Sequence, residues 1–379
     1  MLTVRILVEI TKMLERFLVP EKDRVYIKPE NISRATTQIF RKMGLSQKDS
    51  ELSTEVLMTS DMRGCETHGV SNMLRTYVKQ YGAGELNAVP KLTLTRETTV
   101  TANIDGDAGL GLHVLPKAME IAMEKADQHG TGTVVVHNSR HIGMLAYHAM
   151  MPLSKDMIGL CITAGNPMSM VPTFAAQARF STNPWAYAVP AGQMADFVFD
   201  IATTQVAGNK LALASRVNAP MEPAWITKSD GSPIMNKVDL PDNPDSYMML
   251  PMGGTREQGS HKGYGFAAVA EVLCDLLSGM PAGFLMPRSP RGIMGHFVQA
   301  IKIDAFTDVS EFKKNMDDML RGLIETPTAP GHERVIYPGL PESEEIKKRQ
   351  KEGIPYHKEV IQWFESIRNE LELDYNLFE

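Results

Sequence analysis

The chain has 379 residues, with 39 basic against 45 acidic side chains and a formal charge of −6. Apolar residues make up 43% and charged residues 22%, which excludes wholesale disorder. No basic block is present, which argues against a nucleic-acid partner, because phosphates need clustered Lys and Arg.

At roughly 150 residues per domain, the length allows two or three lobes. An anionic small substrate stays open, its charge met by a few local cations. Cys65, Cys161 and Cys274 are odd in number and lack CxxC spacing, so no disulfide framework is expected and a reducing cytoplasm is the default. No signal peptide is expected in the first residues, because Arg5, Glu9, Lys12, Glu15 and Arg16 interrupt any apolar run. Ile6, Leu7, Ile10, Leu14 and Leu18 recur at helical spacing. Residues 1–26 are therefore expected to form a docking or oligomer-contact helix, with an unstructured extension as the open alternative.

Two helices are predicted over 31–63, joined at Gly44-Leu45-Ser46, with Asn31 and Ser46 as N-caps. A third is expected at about 71–82, ending at Gly82-Ala83-Gly84. Leu92 to Ile104 is rich in Thr, Val and Leu and predicts strands. A helix follows over 114–128, stopped by Gly130. The β-branched run from Gly132 to Val136 predicts a buried strand that delivers the chain to Asn138-Ser139-Arg140-His141. Further strands are expected at 158–163, 185–189 and 197–201. Met157 to Ala178 carries no charge and is long enough to span a bilayer. Gly159, Gly165, Pro167 and Pro172 would break such a helix, so a buried strand and a site-lining loop are expected and no membrane segment. Residues 216–247 read as long loops, 264–278 as a helix, and 341–370 as a charged closing helix. The composition of these segments predicts a mixed α/β protein with helices at both ends.

The nearest approach to a Rossmann phosphate loop, Gly106-Asp-Ala-Gly109-Leu-Gly111, has Val114 where the third glycine belongs. A dinucleotide would need another scaffold. His141 ends a predicted strand, follows groups able to bond its ring, and precedes Gly143; an imidazole there suits acid/base work. A buried structural histidine is the alternative. In Asp61-Met-Arg-Gly-Cys-Glu-Thr-His-Gly69, Thr67 and His68 could orient a carbonyl or hydroxyl, and Arg63 could serve structure or charge. Ser260-His-Lys-Gly-Tyr-Gly265 opens a helix with a cation and free N–H groups, a weak anion-site signal. No metal is expected: His68, His141, Asp61 and Asp200 show neither HExxH nor paired Cys/His spacing.

Together these segments resemble the malate/L-lactate dehydrogenase family, from about residue 27 to 360. The resemblance rests on the 61–70 motif, Asn138-Ser-Arg-His-Ile-Gly, Ser181-Thr-Asn-Pro184, Asp200-Ile-Ala-Thr-Thr, His261-Lys-Gly-Tyr-Gly and Gly353-Ile-Pro in order. It implies a non-Rossmann α/β fold and NAD(P)H-dependent hydride transfer to a small 2-keto acid or related imine. It also implies a homodimer with the active site near the subunit interface. Carried over, His141 is the acid/base and His68 its catalytic partner near nicotinamide and substrate, with Thr67 at the usual serine position. Gly165, Asn166, Thr182, Asn183, Asp200, Ile201, His261, Lys262 and Gly339 match segments that line the cofactor, NAD or NADP. The family's usual carboxylate-gripping arginine is replaced by Asn72, which leaves Arg75 or Arg140 to hold a substrate carboxylate, or a different substrate.

The resulting expectation is an NAD(P)-dependent 2-hydroxyacid dehydrogenase, with a cyclic-imine reductase or a non-catalytic ligand-binding protein as alternatives. The expected organisation is an extension (1–26), a helical substrate and dimer-contact part (27–95), a central α/β cofactor domain (96–325) and a C-terminal helical segment (326–379).

Overall fold

The computed structural model describes residues 19–287 and 292–379. The helix expected from the apolar spacing of residues 1–18 lies outside them. Its continuation to residue 26 is corrected: after one turn at Glu21–Asp23 the chain enters strand β1 (Arg24–Ile27), which pairs antiparallel with Ile354–His357. Pro20 cannot extend a helix, and Val25-Tyr26-Ile27 suits a pleated surface.

Three helices follow, α1 (Pro29–Lys42), α2 (Gln47–Met62) and α3 (Val70–Gly82). The first starts earlier than expected because Pro29 takes the first helical position, where its missing N–H costs nothing. Asn31 is therefore not the cap; it is buried and donates to the Leu377 carbonyl at 3.0 Å. Ser46 does cap α2, accepting from the Asp49 N–H at 3.1 Å. Ile32, Phe40, Leu57 and Leu74 from these helices share one core with Ile354, Tyr356 and Phe364 from the C-terminal end. Each such side chain contributes about 1.5–3 kcal/mol on burial, so the two chain ends hold each other.

The central sheet is built from β2 (Thr93–Glu97), β3 (Thr101–Asp105), helix α4 (Gly111–His129), β4 (Thr131–Ser139), the short helix α5 (Leu145–Met150), β5 (Met157–Gly165), β6 (Trp185–Val189) and β7 (Phe197–Ile201). Then come α6 (Gly208–Arg216), α7 (Ser260–Ala270), β8 (Met294–Lys302), α8 (Val309–Ile324), α9 (Leu340–Glu352), β9 (Ile354–His357) and α10 (Lys358–Glu370). The seven-stranded sheet runs β2-β3-β4-β8-β5-β6-β7. Only β3 and β4 are parallel, and α4 is their crossover. Val134 and Val136 face α4, while Val135, Leu160, Ile162 and Phe297 pack the opposite face with Cys274. Both faces are buried, which is why β4 and β5 read as continuous apolar runs.

The uncharged stretch is indeed β5 and a loop, and no described helix is long and apolar enough to cross a membrane. The sequence reading missed β8, the strand at the centre of the sheet, whose His296, Gln299 and Lys302 hide its pattern. It also missed α8. The single closing helix is corrected to two, because Gly353 adopts φ +88 and β9 intervenes. Helix α7 begins at Ser260 rather than 264 and continues as a π-type turn over Glu271–Leu276. The loops around 217–247 fold over a small core of Met221, Ile226 and Met249.

Candidate active site

The segment after α2 is held by one buried carboxylate. Asp61 Oδ2 accepts from the Val70 N–H at the start of α3 (3.0 Å) and from the Tyr356 hydroxyl (2.6 Å). Burial pushes this carboxyl up to about 7. Arg349 donates to the Asp61 carbonyl at 2.7 Å and pairs with Glu66 and Glu345, each at 2.8 Å. Position 69 must be glycine, since a Cβ there would lie 1.7 Å from Asp61 Oδ1. This clamp sets the single turn Glu66–His68, and Asn209 Nδ2 of α6 ties it down by donating to the Thr67 carbonyl at 2.6 Å.

On the facing side β4 ends at Ser139 and delivers His141. The His68 and His141 rings stack with centroids 5.9 Å apart and planes 7° from parallel. Thr67 Oγ1 lies 2.9 Å from His68 Nδ1. His141 Nδ1 has two partners, the Gly143 N–H at 3.2 Å and the Tyr77 hydroxyl at 2.6 Å. A backbone N–H can only donate, so in the neutral ring Nδ1 is the acceptor and Nε2 carries the proton. Burial, with His68 adding to it, pushes His141 down to about 3, and burial holds His68 at about 4. Both rings are therefore neutral near pH 7.

These rings form one end of a cavity of about 420 Å³. Its wall includes Thr67, Ser181, Thr182, Asp200, Met294 and Pro338. A smaller hollow of about 30 Å³ adjoins it around the histidines and includes Asn183. Asp200 is raised to about 6, mainly by burial, while its Oδ2 accepts from the Ala146 N–H at 2.8 Å. Among the described residues, Arg63 is the only Arg or Lys on the larger wall. Among the described residues no cluster of three His, Cys, Asp or Glu side chains has the geometry to hold a metal. Cys65, Cys161 and Cys274 are unpaired.

Residues 27–365 match the family described as malate/L-lactate dehydrogenase. The chain belongs to that family. It is 33% identical over 352 residues to a malate dehydrogenase of Pyrococcus abyssi, covering 92% of this chain and 95% of that protein. It is 30% identical over 352 residues to an L-sulfolactate dehydrogenase of Methanocaldococcus jannaschii, covering 92% and 98%. The solved malate dehydrogenase of Entamoeba histolytica superposes with a TM-score of 0.87 at 28% identity, covering 93% and 99%. The mixed sheet is thus this dehydrogenase family's fold, and the chain is an oxidoreductase of it.

Within that fold, Thr67, His68, His141, Thr182, Asn183 and Asp200 meet around the cavity. The other residues implied by the family resemblance do not line either hollow. Asn72 donates to the Glu66 carbonyl at 3.0 Å and accepts from Arg216 at 3.4 Å. Arg75 pairs at 2.8 Å with Glu370 near the surface. Arg140 is buried and donates to its neighbour's carbonyl, Ser139, at 2.9 Å. Gly165 ends β5, and Asn166 Oδ1 accepts from the Gly292 and Ile293 N–H groups while Pro167 reaches the wall. Ile201 points to the opposite sheet face, flanked by the lining residues Asp200 and Ala202. His261 bonds Arg256 at 3.0 Å on the exposed start of α7, beside Lys262. Gly339 caps α9 at φ +100, next to the lining Pro338. The sequence reading missed Tyr77, Asn209 and Glu342; no local pattern marks a tyrosine inside α3 as the partner of a histidine 64 residues on.

Proposed function

We propose that this protein interconverts a small 2-keto acid and its 2-hydroxy acid with NAD or NADP, with His141 as the acid/base. The observation that supports it most is the stacked, half-buried His141–His68 pair facing the cavity, with His141 Nδ1 held by Tyr77 and Gly143. The cavity also presents at its other end the Arg63 guanidinium, which forms no ion pair among the described residues and fits a ligand carrying anionic groups as well as a reacting centre. When bound, the cofactor supplies or takes up the hydride.

In the reducing direction, neutral His141 first takes up a proton from solvent on Nδ1, facing Tyr77, and the resulting imidazolium hands its Nε2 proton to the substrate oxygen. Its Nδ1–H then donates to Tyr77, the one group at that nitrogen able to accept. In the oxidising direction, His141 takes the hydroxyl proton on a bare Nε2, which again requires Nδ1–H facing Tyr77. His68, steered by Thr67, lies beside the reacting atoms as a neutral ring, and the acid/base step falls to His141, whose Nδ1 has Tyr77 and Gly143 as partners.

A homodimer is part of this proposal. Phe266, Val269, Val272, Leu276 and Leu277 form a half-exposed apolar stripe along α7 and its extension, which supports a self-contact. Light scattering should give twice the chain mass, and Val272→Asp should lower it to one.

The decisive assay is a screen of NADH and NADPH oxidation against 2-keto acids and cyclic imines. Turnover of a keto acid is expected. Turnover of piperideine-2-carboxylate alone would favour the imine reductase, and dinucleotide binding with no turnover would favour a non-catalytic protein.

A further inference from the structure

Two arginines lie in the corner between α2 and α9, and their surroundings differ. Arg349 is saturated, with Glu66, Glu345 and the Asp61 carbonyl as partners. Arg63, directly after α2, is 7% exposed, yet its Nε is buried with no hydrogen-bond partner and no carboxylate forms an ion pair with it among the described residues. Arg63 acts on Asp200 only through space, partly offsetting the rise that burial causes in that carboxyl, and a buried guanidinium with no hydrogen-bonded carboxylate is unusual, because desolvation is normally offset by a direct partner. Two carboxylates approach the same corner, and each has other work. Asp200 accepts from the Ala146 N–H, and Glu342 Oε2 accepts from the Gly339 N–H at 3.1 Å.

Arg63 lines the 420 Å³ cavity and also a second hollow of about 280 Å³ behind it, sharing both walls with Glu342. The small hollow around His68 and His141 includes neither Arg63, Asp200, Pro338 nor Glu342. The open cation therefore stands at the end of the cavity remote from the acid/base pair. A substrate carboxylate, one bond from the reacting carbon, belongs beside the histidines. An anion at the far end belongs to the longer ligand.

We propose that Arg63 is the anchor for the diphosphate bridge of the dinucleotide, gripping it through a planar two-pronged contact. This rests on the dinucleotide reading above and goes beyond it by assigning one side chain. A guanidinium suits two phosphate oxygens at once, and a lysine at the same position would keep charge without the fork.

The test measures binding rather than turnover, by NADH fluorescence and by competition. In the wild-type protein, inorganic diphosphate should displace NADH, and ADP should do so more strongly. Arg63→Gln should weaken NADH, NADPH and ADP alike by on the order of 10–100-fold, as loss of charged hydrogen bonds predicts. Arg63→Lys should recover part of that loss. Reduced nicotinamide mononucleotide, which lacks the bridge, should lose less. Loss confined to NADPH would move the contact to the ribose phosphate, and a rise only in the keto-acid KM would move it to the substrate carboxylate; either overturns the assignment. If both variants fail to fold, the wild-type competition decides: diphosphate that cannot displace NADH overturns it. Absence of NADH binding to the wild type would instead defeat the dinucleotide reading itself.

Discussion

Tyr77→Phe isolates the hydroxyl that the proposed proton transfer uses. The ring stays packed in the helical core, and only the 2.6 Å contact to His141 Nδ1 is removed. In the neutral ring with Nε2 protonated, Nδ1 still accepts from the Gly143 N–H at 3.2 Å, so this form keeps a partner. The imidazolium does not: its Nδ1–H would face an N–H with no acceptor nearby. A charged hydrogen bond is worth about 1.5–3 kcal/mol and a neutral one about 0.5–1.5 kcal/mol. The difference, about 1–2 kcal/mol, corresponds to about one pKa unit and roughly a 5–30-fold loss of rate. Keto-acid reduction should slow by that factor, with its pH profile moved about one unit to the acid side. Hydroxy-acid oxidation should slow too, because the tautomer with a bare Nε2 also needs Tyr77. Stopped-flow single turnover with saturating cofactor reads the step directly, and NADH affinity should not move. Rates within twofold of wild type in both directions, on an unshifted profile, would refute the role of Tyr77.

His141→Ala should lower kcat by on the order of 10²–10⁴ with NADH binding kept; a rate near wild type would remove its assignment as the acid/base. Gly69→Ala should destabilise by about 1–3 kcal/mol through overpacking, since the new Cβ meets Asp61 Oδ1, and chemical denaturation showing no loss would contradict the clamp. Thermal stability should peak near pH 6.5. Burial lowers His68, His113 and His148 to about 4 and His141 and His296 to about 3, so their contribution is present above about 6.5 and is lost as pH falls through those values. Burial raises Asp61 to about 7, and burial with the neighbouring Glu271 raises Asp275 to about 9, so their contribution is lost as pH rises. Above neutrality Asp275 dominates, and Asp275→Asn should flatten the alkaline decline; a midpoint still rising at pH 9 would show the carboxyl to be ionised in the fold.

The cavity-lining part of the site was legible where chemistry and local pattern coincide. The β-branched run of β4 announces the strand that carries His141, and the polar cluster from Asp61 to Gly69 announces the turn that carries His68. Asn72 was legible as a departure, but its neighbours were not: its amide spans the Glu66 carbonyl and Arg216 instead of facing the cavity. The loop carrying His261 and Lys262 has the residues of an anion site and opens a helix, yet it stands away from both hollows.

By itself the sequence determined most helices, the strands with β-branched runs, the caps at Ser46 and Gly130, and the motifs that carry the reactive side chains. These depend on spacing, capping and backbone freedom within a few residues. The tertiary structure alone decided that β8 inserts between β4 and β5, that Tyr77 meets His141, and that Tyr356 closes on Asp61 across 295 positions. Those pairings come from burying two sheet faces and both chain ends at once. A partner chosen by the need to satisfy a buried polar atom leaves no mark on the residues beside it in the chain.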